Sequence, residues 1–231
     1  YFRDPYNAER IEVLKGPSGM TFGRGGAGGV VNRVTKRPLE RPQTKLDLTG
    51  GSWDQKRLAV DWSDHLGASG GLRVNAVAED ALGFREGFHL RRSGVNPVAE
   101  FALGADTLAQ VGLEHFEDRR TTDRGIPALN GRPYDTARRT FFGNPDQSPS
   151  SAVVDALGAR VETSLAPGLT LRNAFRVTRY DISRQNVQAN SVVNPTTNQL
   201  RITAYRTVND RTNLFNQTEL EWKVGGGGVE H

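Results

Sequence analysis

The chain has 231 residues, a formal charge of +4, a pI of about 9.6 and no cysteine, which excludes a disulfide framework, a thiolate metal site and a cysteine nucleophile. Mean hydropathy is −0.55, and no stretch approaches the ~18 consecutive apolar residues that a membrane helix needs. That leaves a transmembrane β-barrel open, because barrel strands need only about ten alternating residues and their polar interior keeps hydropathy low.

The opening Tyr1-Phe2-Arg3-Asp4 carries no signal peptide and is not a natural start, so the chain reads as a piece of a longer protein. Two short alternating runs follow, Arg10 to Lys15 and Gly29 to Lys36, in the period-2 pattern of half-buried strands. Gly16-Pro17 ends the first run, and glycines at 19, 23, 25, 26 and 28 fill the linker. Gly23, Gly25 and Gly28 spell G-x-G-x-x-G, which raises a soluble dinucleotide-binding enzyme as an alternative. That fingerprint needs a helix after it and an acidic residue about 20 positions on. Asp47 is near the offset, but β-branched Val30-Val31-Asn32-Arg33-Val34-Thr35 and then Pro38 stand where the helix belongs.

As one ordered run, these parts are more specific than any motif within them. Glu9-Arg10-Ile11-Glu12-Val13, Lys15-Gly16-Pro17, Phe22-Gly23, Gly28-Gly29 and Val34-Thr35-Lys36-Arg37-Pro38 resemble the end of the plug domain of TonB-dependent outer-membrane receptors, above all siderophore receptors. The resemblance implies an all-β chain: the C-terminal part of a plug over 1–40, then the N-terminal part of an antiparallel up-and-down transmembrane barrel over 41–231. Such receptors close at about 22 strands around a plugged lumen, so about eight strands here make an incomplete barrel. It also implies a Gram-negative outer membrane, a ferric siderophore as ligand, and a TonB complex engaged through a segment upstream of this sequence. A haem, cobalamin or sugar ligand stays open within the same family.

Beyond Pro38 the period-2 signal continues. Leu46 and Leu48, then Leu58, Val60 and Trp62, then Leu72, Val74, Ala76 and Ala78 alternate with polar neighbours. The same holds for Val111 and Leu113, for Leu157, Ala159 and Val161, for Leu171, Phe175 and Val177, and for Leu220 and Trp222; His115 and Asn173 interrupt the apolar side. Arg57, Glu79, Glu114, Arg160, Arg172, Arg176 and Glu219 fall on the opposite, lumenal face. Alternation alone also fits a soluble sandwich. Connection length separates the two: Asp64 to Gly70, Gly104 to Thr107, Ala166 to Gly168 and Gly225 to Gly228 read as tight turns. Ala81 to Asn96, Arg119 to Ser151 and Ser183 to Asn209 read as long polar loops; only Gly51-Ser52-Trp53-Asp54 is short where a long loop is expected. Short turns at one end and long loops at the other are the mark of an outer-membrane barrel. Trp62 and Trp222 precede short turns and Phe116 precedes a long loop, the levels of the two aromatic girdles.

The basic residues are 25 arginines and 5 lysines, interspersed with carboxylates instead of gathered on one face. That argues against nucleic acid as a partner and for fixed ion pairs in an organised interior. The stretch Arg124-Gly-Ile-Pro, Asn130-Gly-Arg-Pro, Thr140-Phe-Phe-Gly-Asn-Pro-Asp146 resembles loops of a siderophore-receptor subset associated with catecholates. Its arginines and rings suit an aromatic anion. Candidate ligand contacts are Phe22 and Arg24 as a floor on the plug and Arg124, Tyr134 and Arg138 as a roof from the loop. His65, His89, His115 and His231 are scattered, and Gly16-Pro17-Ser18-Gly19 lacks the setting of a nucleophile elbow, so neither catalysis nor a resident cofactor or metal is expected. Outer-membrane lipid is the expected surroundings.

Overall fold

The computed structural model describes residues 3–17, 28–223, 225–226 and 229–230, and among them every regular element is a strand. β1 (Ala8–Lys15) and β2 (Gly29–Thr35) form an antiparallel hairpin. Eight further strands make one antiparallel sheet: β3 (Gln43–Gly51), β4 (Gln55–His65), β5 (Gly70–Leu82), β6 (His89–Ala102), β7 (Thr107–Thr121), β10 (Pro149–Ala166), β11 (Leu169–Ala189) and β12 (Ile202–Trp222). Each pairs with its neighbour in chain order, and β3 and β12 are the outermost. The two-residue strands β8 (Ala128–Leu129) and β9 (Arg132–Pro133) pair within the loop between β7 and β10. β13 (Gly225–Gly226) and β14 (Val229–Glu230) pair after the sheet; Gly227 and Gly228, the centre of the expected last turn, lie outside the described residues.

The sheet has two chemically different faces, as the period-2 pattern requires. On β5, Arg73, Asn75, Val77, Glu79 and Ala81 are buried on the face that meets the β1–β2 hairpin and its flanks, which makes that face the inner one. Leu72, Val74, Ala76 and Ala78 point outward. The core is correspondingly small, with Tyr6, Val77, Phe116 and Val154 clustered between hairpin and wall. Exposed apolar residues include Leu46, Leu48, Leu58, Val111, Leu113, Leu157, Leu220 and Trp222, all outward, where lipid would cover them.

Connections do segregate by length, but the long ones are shorter than expected because the strands run further. The loops are 83–88, 122–148 and 190–201, in place of Ala81 to Asn96, Arg119 to Ser151 and Ser183 to Asn209. β11 and β12 pair without a break from Leu169↔Trp222 to Ala189↔Ile202. Beyond the bilayer an outward position has no need to be apolar, so alternation fades while backbone pairing continues.

Phe116 is a second correction. It is 1% exposed and lies inward, its ring stacked on Tyr6 with centroids 6.3 Å apart. It shares strand parity with Glu114 and Asp118, and that parity outweighs its nearness to a loop.

Candidate functional site

Two inner regions carry the chemistry: a charged interface that seats the hairpin, and a cavity where the loops begin. In the first, four buried carboxylates, Asp4, Glu79, Asp61 and Glu114, each collect at least two cations. Asp4 takes Arg57 at 3.0 Å and Arg92 at 3.2 Å, and both arginines also face Glu79, at 3.7 and 3.1 Å. Asp61 on β4 accepts a two-pronged pair from Arg73 at 2.7 and 2.8 Å and a third bond from Lys36 at 2.9 Å. Glu114 on β7 takes Arg3 at 2.6 Å, Arg176 at 3.2 Å and Arg33 at 4.0 Å, and Asn7 donates to it at 3.3 Å. Asn7 also donates to Asn96 at 3.0 Å and accepts from Arg33. Lys36 reaches further to the Tyr6 carbonyl at 3.0 Å and to Asn75 at 3.2 Å.

Fixed guanidiniums thus hold the hairpin and its flank to β4, β5, β6 and β7 at once, while Arg176 ties β11 to the same Glu114. Burial, and next the charge of Glu114, pushes the Tyr6 hydroxyl above the usual tyrosine range. Burial, and next the neighbouring Arg3, lowers the Arg33 guanidinium.

The second region is a cavity of about 300 Å³ on the inner face at the loop end, lined by Phe88, Asp118, Arg120, Asp123, Arg124 and Arg184 among others. Its acids are already engaged: Asp118 by Arg120, and Asp123 by Arg85 at 2.6 Å. Arg124 and Arg184 form no ion pair among the described residues. Arg124 donates to the Tyr205 hydroxyl and lies 5.9 Å above that ring. The arrangement offers positive charge next to rings, which suits an aromatic anion.

Of the residues singled out in the sequence, Phe22 and Arg24 lie outside the described residues. Arg124 lines the cavity. Tyr134 and Arg138 do not: Tyr134 donates to Asn198 at 3.0 Å and packs edge-on to Phe142, and Arg138 sits 5.9 Å over Phe84. Both stitch loops together, in company with Arg85, which donates to the Thr140 carbonyl at 3.0 Å. Sequence reasoning missed Arg184 and Tyr205 because their stretch read as loop; inward parity at the end of a long strand is the signal that would have found them. The glycine fingerprint has no helix: Gly28 leads straight into β2, which pairs antiparallel with β1.

Residues 1–30 match the family model of the TonB-dependent receptor plug domain. The metal-pseudopaline receptor CntO of Pseudomonas aeruginosa is 35% identical over 74% of this chain and 24% of its own length. The catecholate siderophore receptor Fiu of Escherichia coli is 28% identical over 99% of this chain and 33% of its own. The chain is part of a TonB-dependent receptor. It spans about a quarter to a third of the relatives it matches. The solved siderophore receptor PiuA of Acinetobacter baumannii superposes with a TM-score of 0.90 at 20% identity, over 100% of this chain and 34% of that one. That likeness establishes the receptor fold: plug hairpin inside, barrel strands around it.

Proposed function

We propose that this receptor sits in a Gram-negative outer membrane and takes up a ferric siderophore, with residues 1–40 closing its plug and 41–231 opening its barrel. The observation that carries the ligand class is the pair Arg124 and Arg184, two guanidiniums on the loop-end cavity that form no ion pair among the described residues, with Tyr205 beside Arg124. An iron chelate with ionised aromatic oxygens meets both needs, and a catecholate is the preferred member of that class. Of the relatives, Fiu is named for a catecholate siderophore and CntO for metal-pseudopaline, and the first supports the reading. Phe22 and Arg24 complete the site from the plug side. The energy comes from a TonB complex, engaged through a segment outside this sequence, which draws the plug from its seat. Nothing in this scheme requires catalysis or a resident cofactor.

The test is ferric-siderophore binding to the full-length receptor with Arg124→Ala and Arg184→Ala. A charge-assisted hydrogen bond contributes about 1.5–3 kcal/mol, so each substitution should weaken binding about ten- to a hundredfold while folded receptor in the membrane stays constant. Wild-type affinity in the double variant would remove the cavity from the ligand site.

A further inference from the structure

Tyr6 is buried against Phe116, and Tyr134 gives its hydroxyl proton to Asn198 at 3.0 Å. Tyr205 on β12 is placed differently. Its hydroxyl oxygen accepts from Arg124, and no acceptor takes its own proton among the described residues. Tyr205 pairs with Asn186 on β11, and Arg184 pairs with Thr207, so strand alternation sets Arg184 and Tyr205 on the same inner face. Arg124 also lies 5.9 Å above the Tyr205 ring. The phenol oxygen is thus beside two guanidiniums that line the loop-end cavity.

β12 runs on from Tyr205 to Trp222 at the turn end, well over the about 9–11 residues in which a tilted strand crosses the hydrocarbon. Tyr205 therefore stands beyond the bilayer, on the side of the long loops. The hydrogen bond from Arg124, opposed by burial, holds its hydroxyl below the usual tyrosine range, and Asn186 and Arg184 act in the same sense. An oxygen that accepts from a guanidinium and keeps no acceptor for its proton is prepared to become a phenolate. Tyrosine oxygen in that form is a ligand of iron.

We propose that Tyr205 binds the iron itself, completing the coordination of a ferric chelate that leaves positions open on the metal. The proposal rests on the siderophore reading above and narrows its substrate class to chelators with two bidentate groups in preference to three. Three such groups fill the coordination shell of iron(III), whereas two leave water on the metal. The Tyr205 oxygen forms the new bond to iron, one bound water leaves, and the phenol proton passes to solvent. The iron stays ferric throughout. Arg124 and Arg184 offset the negative charge that phenolate and catecholate oxygens bring together. A saturated chelate meets Tyr205 only as a neighbour, and an unsaturated one gains a bond, which is the source of the selection.

The test uses full-length receptor in detergent, with iron(III) held by a linear bis-catechol chelator or by a tris-catechol chelator of the same units. Partners of metal ligands are worth about 10–100-fold in affinity, so losing the ligand itself in Tyr205→Phe should weaken the bis-catechol complex at least about tenfold more than the tris-catechol complex. Resonance Raman spectra of wild type with the bis-catechol complex should show iron–tyrosinate modes that shift when the receptor carries ring-deuterated tyrosine. That arm is independent of how the variant folds. Equal loss for both complexes would make Tyr205 a hydrogen-bonding neighbour of the chelator and overturn the proposal, as would no loss for either or a spectrum insensitive to the label. Where binding still falls with Arg124→Ala and Arg184→Ala, such a result removes the iron bond alone and leaves the cavity as the siderophore site. Wild-type receptor that holds neither complex overturns the siderophore reading and the iron bond with it.

Discussion

Removing one carboxylate should unseat the plug hairpin without disturbing the barrel. Glu114 is the choice, because its side chain is 5% exposed and two of its cations, Arg3 and Arg33, come from the hairpin and its flank. Glu114→Ala leaves those two, 23% and 22% exposed, facing Arg176 with no anion between them. Breaking a buried pair by deleting one partner costs about 3–5 kcal/mol. The Arg176 contact adds little, since that side chain is 46% exposed and water screens it. Taking the low end, about 3 kcal/mol is about a hundredfold in an opening equilibrium. Hydrogen exchange on the full-length receptor reads it directly: amides of β1 and β2 should exchange about a hundredfold faster, and those of β4 to β7 should not change. Glu114→Gln should fall between, because it can still accept from Asn7. Unaltered exchange in β1 and β2 would refute the idea that this charge cluster holds the plug.

Other consequences follow from single contacts. A Cβ on Gly94 would stand 2.9 Å from the Tyr6 hydroxyl oxygen and 3.0 Å from the Phe116 ring, so Gly94→Val should free residues 3–7 to proteolysis while the barrel stays folded. Gly143 has φ +147° and a Cβ there would lie on the Val187 carbonyl, so Gly143→Ala should detach the 122–148 loop from β11, seen as faster exchange at Val187 and Gln188. Because the folded-state pKa of Tyr6 is raised above the ordinary 10.0, its contribution is full below pH 10 and is lost as pH rises beyond it. Ultraviolet titration should find the tyrosinate step near pH 10 equally large in wild type and Tyr6→Phe; a smaller step in the variant would show that Tyr6 titrates normally.

Most of the wall was legible because a bilayer enforces alternation: an outward Val111 or Leu113 has to be apolar, and its neighbour Glu114 faces water or plug. Where the bilayer stops, that enforcement stops. The polar ends of β6, β11 and β12 therefore read as loop, and with them went Arg184 and Tyr205. Phe116 was misplaced by weighing its distance to a loop above its parity, although parity alone put it with Glu114 and Asp118. Asp4, Tyr6 and Asn7 left no periodic trace at all. Their partners Arg57, Arg92, Asn96 and Glu114 lie 53 to 107 positions away, and no local pattern encodes such contacts.

β7 joins the two inner regions. Its successive inward residues are Glu114, Phe116, Asp118 and Arg120, spaced about 6.8 Å apart along the strand. The first two touch the plug side, through Arg3 and Tyr6, and the last two line the loop-end cavity. A ligand that recruits Arg120 draws it from Asp118, the residue next inward to the ring on which Tyr6 rests. A paired strand does not slide freely, since β7 is paired with β10 from Thr107 to Thr121 and with β6 on both sides of Leu113–Glu114. A ligand effect carried by β7 therefore passes through these side chains: the Asp118–Arg120 pair, the Phe116–Tyr6 stack and the Glu114–Arg3 pair can each change without unpairing the strand.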